Sequence, residues 1–460
     1  LFENAAIGMF NVFCKIDKVK ADKKLELENQ DYFVVCPNCG EDNLNKYQPP
    51  YMLKSPRAYR TSLSAGSDTK DDSEFLLSRP PIFAEKIGSV SIVTINNASI
   101  SISDNDVTWR VNTNSDRFFK GRLYNTNNRF PFNSKGYWFN NQWLLNDFAT
   151  NVPDENGYSM LVQQIATSAD EQIALASNKN TEIFRIAPTN VPYELDLNMF
   201  FSETDLPHVK AQSNGVRSGY YSAAFLLQRI LADKLDVDPT EIEIADISMK
   251  ELEDGRRIAE IILTDELPNG SGFVRYLYNN LANILSESIN PSNANSYLGK
   301  IHSHTHQGKC DDACYDCLKV FRNMNYHSLL DWRLGISMLR VMNDSTFVCG
   351  ADGNFNFVEL QNWFAFATEL RNAFAQSFGF SNTAEINGLP IIKFGRNQRN
   401  VIMIVHPFWN MRNFTEANWL AEIYNEIKEH TESNGGKISI IDTFNLHRRP
   451  GWCYEKLIER

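Results

Sequence analysis

The stretch GVRSGYYSAAFLLQRILADKLDVDPTEIEI, Gly215 to Ile244, decides how the chain is read. Ala223, Leu226, Leu227, Ile230 and Leu231 recur at helical spacing and make a broad apolar face, which predicts a helix from about Tyr220 to Leu235. Ser213-Asn214-Gly215 is expected to break the chain just before it. Two strands are expected next, Glu241 to Ile247 and Arg257 to Leu263, followed by a helix from about Gly272 to Ser288. That order is a helix laid on a sheet.

Upstream the period is two rather than 3.6. In Ser89 to Asn112, alternation punctuated at Asn96-Asn97 and Asp104-Asn105 predicts a meander of three short strands. Asn112 to Asn151 has no clean period and predicts irregular structure, with further strands at Tyr158 to Ile165 and Thr181 to Ala187. Downstream, the Asn/Ser/His-rich run to Lys309 reads as a loop, with helices resuming at Leu318. Beyond Cys349 come a helix (Phe357 to Phe378), a hairpin at Asn387-Gly388, a strand (Asn400 to Val405), a helix (Glu416 to Thr431) and a strand (Lys437 to Ile441). The expected fold class is mixed α/β (α+β): a β-rich part over 1–200, a central α/β unit over 201–345 and a small C-terminal α/β unit over 346–460.

Composition supports an ordinary globular chain: 460 residues, 43% hydrophobic and 22% charged, enough for two or three cored domains. The longest aliphatic run is about five residues, Val401 to Val405, whereas a spanning helix needs roughly 20, so no membrane partner is expected. The first residues carry no positive n-region, which argues against a secretory leader. A net charge of −11 argues weakly against a nucleic-acid partner, but the acidity is local. Ala232 to Glu266 holds 12 acids against 4 bases. Lys393 to Arg412 holds Lys393, Arg396, Arg399 and Arg412 without an acid, interleaved with Phe394, Phe408 and Trp409, which predicts a surface for phosphates and stacked bases.

Five of the eight cysteines sit in two tight clusters with metal-ligand spacing, which suits a reducing, cytoplasmic setting better than a disulfide framework. In Cys310-x3-Cys314-x2-Cys317, three thiols within eight residues can converge on one soft tetrahedral cation, and structural zinc is the expected metal. Two histidines compete for the fourth position: His327, favoured because it opens the next helix and can fold back, and His306, four residues before the first Cys. Cys36 and Cys39 in CPNCG offer half of a second site.

Other polar clusters carry weaker readings. The run His302-Ser303-His304-Thr305-His306, if extended, could turn two imidazoles toward a catalytic metal, although no acidic partner follows it. Asp265 to Phe273 links a strand to a helix through two glycines, a place where a phosphate could sit, against the repulsion of Asp265 and Glu266. His406, Asp442, Arg448 and Arg449 follow strands, where open α/β sheets bind ligands, and the two arginines could clamp phosphate. No G-x-x-x-x-G-K-[ST] is present, so no P-loop ATPase site is expected.

Gly215 to Ile244, Ile261 to Tyr278 and Cys310 to Gly335, in that order, resemble the zinc-binding C-terminal domain attached to large DEAD/DEAH-box (superfamily 2) helicases. That group includes the bacterial mitomycin-repair helicase, the Druantia phage-defence helicase and the DISARM helicase-associated subunit. The likeness covers roughly residues 180 to 345, and the flanking CPNCG, PRAYRTSL, VHPFW and DTFNLHRRP look most like the Druantia type. It implies zinc on Cys310, Cys314 and Cys317, with His327 in the Asn323/His327/Asp331 stretch as partner. The mitomycin-repair type uses a fourth cysteine there, which this chain lacks nearby. The resemblance implies a non-motor DNA-binding region of such a helicase, either the C-terminal portion of a longer chain or a partner of a separate motor, acting in repair or anti-phage defence. Two other classes compete: a metal-dependent nuclease using His406, Asp442 and Arg449 or the histidine run, and a scaffold that docks a helicase subunit without touching DNA.

Overall fold

A computed structural model of the chain describes residues 90–112, 170–202, 204–412 and 418–458, together with the strands of 22–25, 32–35, 52–54, 82–85, 119–126 and 134–139. Cys36, Cys39 and the strand expected at Tyr158 to Ile165 lie outside the described residues.

The chain divides into two compact units, Leu1–Lys86 with Val107–Asn180, and Ile87–Asp106 with Thr181–Arg460. The parts expected at 201–345 and 346–460 both fall within the second unit. The described residues of the first unit lie in strands. β1 (Asp22–Leu25) pairs antiparallel with β2 (Tyr32–Val35). β3 (Met52–Lys54) runs parallel to the start of β9 (Asp170–Pro188), and β4 (Ile82–Glu85) runs antiparallel to the end of β6 (Ala98–Asn112). β7 (Phe119–Thr126) and β8 (Ser134–Phe139) form a hairpin where irregular structure was expected.

In the second unit β5 (Val93–Ile95) pairs with the start of β6 across a turn at Asn96-Asn97. Asn96 takes a left-handed φ of 54°, as the turn expected there requires. Asp104-Asn105 does not break the chain; both residues lie inside β6. The sheet order is β10–β11–β9–β6, with β10 Ile242–Glu251 and β11 Arg257–Asp265. A second sheet, β12–β13–β14–β15 (Asn382–Ile386, Leu389–Phe394, Asn400–Val405, Ile438–Asp442), is antiparallel except for its last pair.

Helix α1 (Pro207–Leu235) joins the sheets, touching β10 and β11 of one and β15 of the other. It begins 13 residues earlier than its apolar face predicts. Gly215 does not break it: a Cβ there would collide with Pro407, and one at Gly219 would collide with the Phe408 ring. The glycine that reads as punctuation is a point of close approach between the helix and the chain leaving β14. α2 (Phe273–Ile289) packs on β11, two short helices follow (α3 Tyr297–Ile301, α4 His304–Gln307), and α5 (Trp332–Asn343) packs on α1 and α2. α6 (Trp363–Phe378) packs on β13, α7 (Trp419–Ser433) lies on β14 and β15, and α8 (Thr443–Arg448) and α9 (Pro450–Lys456) complete the body. Among the described residues no helix is long and apolar enough to cross a membrane.

Candidate metal centre

Ser296 caps α3 by accepting from Gly299 N–H, and Ser303 caps α4 by accepting from His306 N–H. The segment expected as a loop is thus two helical turns with a bend between them. This undoes the extended alternation of the histidines: His304 is exposed, while His302 is largely buried, its imidazole pKa lowered to about 4 by burial. His306 alone reaches the thiols.

His306, Cys310, Cys314 and Cys317 bring one donor atom each to within 4.8 Å of one another. Cys310 Sγ is 3.9 Å from Cys317 Sγ, Cys314 Sγ is 3.6 Å from Cys317 Sγ, and His306 Nε2 is 3.6 Å from Cys314 Sγ. A tetrahedron with arms of about 2.3 Å has edges of roughly 3.8 Å, so the spacing is that of ligands around one zinc ion. The Cys314 N–H donates to Cys317 Sγ at 3.1 Å, the tight turn that a CxxC pair supplies. Thiols this close cannot all ionise unaided. Cys310 is pushed up by its hydrogen bond to Cys317, by burial and by its neighbours' charge, while Cys317, receiving that bond, is drawn down to about 4. A dication held by His306 and the three cysteines would reverse the repulsion and favour all three as thiolates.

The supporting shell is as specific. His306 Nδ1 lies 2.9 Å from the Ile301 carbonyl, which can only accept. The ring proton therefore sits on Nδ1, and Nε2 turns its lone pair to the thiols. The Cys310 carbonyl accepts from Trp332 Nε1 at 3.2 Å and Arg333 Nη1 at 3.0 Å, and the Cys317 carbonyl accepts from Tyr297 OH at 2.8 Å. Asp331 accepts from Arg333 and Leu334 N–H and so starts α5 where Trp332 and Arg333 face the knuckle. Sequence reasoning missed Tyr297, Trp332 and Arg333, because aromatic and basic residues outside the ligand spacing carry no local signal of this work.

The preference for His327 over His306 is corrected by this geometry. His327 Nε2 lies 3.0 Å from the Val320 carbonyl and 2.9 Å from Asn323 Oδ1, so its proton closes the loop after the knuckle. Asn323 Oδ1 also accepts from Val320 N–H, and its amide donates to the Leu318 carbonyl. The Asn323/His327/Asp331 stretch is polar because it folds the loop back, not because it binds metal.

The remaining candidates divide by what they already hold. Asp265, wholly buried, accepts from the N–H groups of Ser271, Gly272, Phe273 and Val274, so its own carboxylate fills the helix terminus where a phosphate was weighed. His406 is buried and neutral, its pKa lowered to about 3 by burial, and its Nδ1 accepts from Phe408 N–H. Cys349 Sγ lies 3.6 Å from it, but burial raises that thiol, so the pair is not a thiolate–imidazolium couple. Asp442 caps α8 through Asn445 N–H. Of the basic residues, Arg412 is paired with Asp196 and Asp205, Arg448 donates to the Ser328 and Leu330 carbonyls, and Arg449 donates to Asn445 and lies over Trp452. Phe408 and Trp409, expected to stack on bases, are fully buried. Arg396 and Arg399 stand exposed at the β13–β14 turn, with Lys393 half-buried beside them.

The fold and its His/Cys3 knuckle define a zinc-binding unit similar to a helicase-associated domain. Residues 223–318 match the family model described as the MrfA Zn-binding domain, a span that includes His306 and the three cysteines and excludes His327. Over 107 residues, 23% of this chain, it is 29% identical to the Druantia protein DruE of Escherichia coli (strain UMEA 4076-1). The match takes up 5% of that relative, so the chain spans a small part of its length. A crystal structure of the DUF1998 helicase MrfA bound to DNA aligns with 74% of this chain and 30% of its own, at 9% identity and a TM-score of 0.29; the fold described above rests on the chain's own elements. The donor set and the family match agree on structural zinc.

Proposed function

We propose that this chain is a zinc-stabilised, non-motor, DNA-handling region that works with a superfamily 2 helicase motor in repair or anti-phage defence in the cytoplasm. The observation that carries this reading is the closed knuckle of His306, Cys310, Cys314 and Cys317 inside the span that matches the MrfA Zn-binding domain. Four protein donors leave no open position for substrate or activated water, so the metal holds a shape and does no chemistry. The match to the MrfA Zn-binding domain and a relative named for Druantia support the reading. The nuclease alternative loses its residues, since His406 and Asp442 are buried in structural hydrogen bonds.

Arg396 and Arg399 supply the phosphate contacts, presented by a turn in which Asn397 and Gln398 both take left-handed φ. These two residues sit in a five-residue connection, 395–399, between β13 and β14, with Arg396 and Arg399 on either side of them. The test is duplex and single-stranded DNA binding by fluorescence anisotropy across a salt series. Binding should weaken steeply with salt, and Arg396→Ala/Arg399→Ala should lower the salt slope by about 2. An unchanged slope removes this turn from the interface.

A further inference from the structure

Large apolar side chains are exposed in one short stretch around the knuckle: Tyr315 is 66% exposed, Phe321 63% and Met324 39%. Tyr315 lies between two zinc ligands, Cys314 and Cys317. Phe321 and Met324 lie on the 3-10 segment Phe321–Tyr326 that leaves the knuckle, on either side of a kink at Asn323.

The platform is rigid for reasons already visible. The metal cluster fixes the backbone on either side of Tyr315. His327 packs its ring against Tyr315 at 5.8 Å and 84°, while its Nε2 ties down the Val320–Asn323 loop that carries Phe321. Tyr326, at the end of the same turn, wedges between Tyr221 and Phe225 of α1. Exposed aromatic rings held this firmly lose little freedom when something flat settles on them.

The surroundings favour a nucleobase over an apolar protein surface. The exposed neighbours are polar: Asp316, Arg322, Asn325 and Ser328. Cations are interleaved with the rings, Arg322 directly after Phe321 and Lys319 two residues before it. Lys319 pairs with Asp312 at 3.8 Å, and Arg322 is exposed. Asp316 beside Tyr315 would repel a phosphate there, which assigns the backbone contacts to the Phe321 side. Rings with a face to offer and cations beside them are the pattern of single-strand binding.

We propose that Tyr315 and Phe321 form a stacking platform for unpaired bases of single-stranded nucleic acid, with Arg322 and Lys319 taking the adjacent phosphates and His327 acting as the positioning residue that holds both rings. This rests on the DNA-handling reading above and gives it a second contact surface, distinct from the Arg396/Arg399 turn.

The experiment uses the zinc-loaded chain and a fluorescent oligothymidylate, with zinc content and thermal melting as controls for folding. Tyr315→Ala/Phe321→Ala should weaken binding roughly tenfold or more per ring without changing the salt slope, because stacking releases no counterions. Tyr315→Phe and Phe321→Tyr should bind as the parent does. Arg322→Ala should instead lower the slope by about 1. Oligonucleotides carrying 5-iodouracil should cross-link to Tyr315 or Phe321. If the parent binds DNA and the double alanine variant binds equally well, the platform is wrong and the DNA reading stands. If the parent binds no nucleic acid at low salt, both fail. If the double variant binds DNA normally but no longer associates with a purified helicase motor, the surface is a protein contact and the proposal is overturned.

Discussion

The knuckle and the carboxyl ends of β14 and β15 hold the same residue types, yet among the described residues one gathers four metal donors and the other does not. Around Cys317 four donor atoms lie within 4.8 Å of one another, and His306 turns its other ring nitrogen to the Ile301 carbonyl. Around Cys349 and His406 two donors meet, and the imidazole Nδ1 is already taken by Phe408 N–H. A buried Cys–His contact is thus not a site in itself. What matters is whether enough lone pairs remain unspent and converge.

The largest test of this contrast is loss of metal. Chelation of zinc, or Cys317→Ser, should unfold the region around α3 to α5, because structural zinc contributes on the order of 10 kcal/mol to folding in small domains. Cys349→Ala should keep full zinc and cost about 1–2 kcal/mol, a difference that chemical denaturation with a metal indicator resolves. If both variants release zinc alike, the contrast is false.

Acid probes the other side. His406 has its pKa lowered to about 3 from 6.5 by burial, so the unfolded chain takes up the proton first. Stability is fully present above about pH 6.5 and falls as the pH drops toward 3, by on the order of a few kcal/mol. His406→Gln should flatten that limb of a pH–stability curve. Zinc release, followed separately with the indicator, should not shift.

The two histidines give a sharper and smaller contrast. His306→Ala should weaken zinc binding on the order of 100-fold, whereas His327→Ala should leave zinc affinity within a factor of a few and only loosen the loop after the knuckle. Competition titrations decide it, and equal losses would return His327 to the metal. The smallest effect concerns the glycine-rich turn before α2. Asp265→Asn should cost about 1–2 kcal/mol in chemical denaturation, since four N–H groups lose a charged acceptor. No phosphate affinity should appear there.

Much of this was legible in the chain itself where the cause is local. The hairpin at Asn387-Gly388 and the strand Asn400–Val405 are found as expected, because turn conformation and apolar runs act over a few residues. The start of α1 was not legible, since Gly215 and Gly219 serve contacts with Pro407 and Phe408 nearly 200 residues away. The basic stretch Lys393 to Arg412 misled for the same reason. Its aromatic residues pack into the core, and its last arginine pairs with Asp196 and Asp205.

The sequence by itself determined the mixed α/β class, the three zinc cysteines and the presence of the central helix, because thiol spacing within one turn and side-chain period along one helix are properties of neighbouring residues. Only the tertiary structure decided between His306 and His327, which arginines are already held by carboxylates and carbonyls, and which buried groups stay neutral. Those outcomes depend on which carbonyl, carboxylate or ring arrives from elsewhere in the chain, and on how much water it displaces when it does.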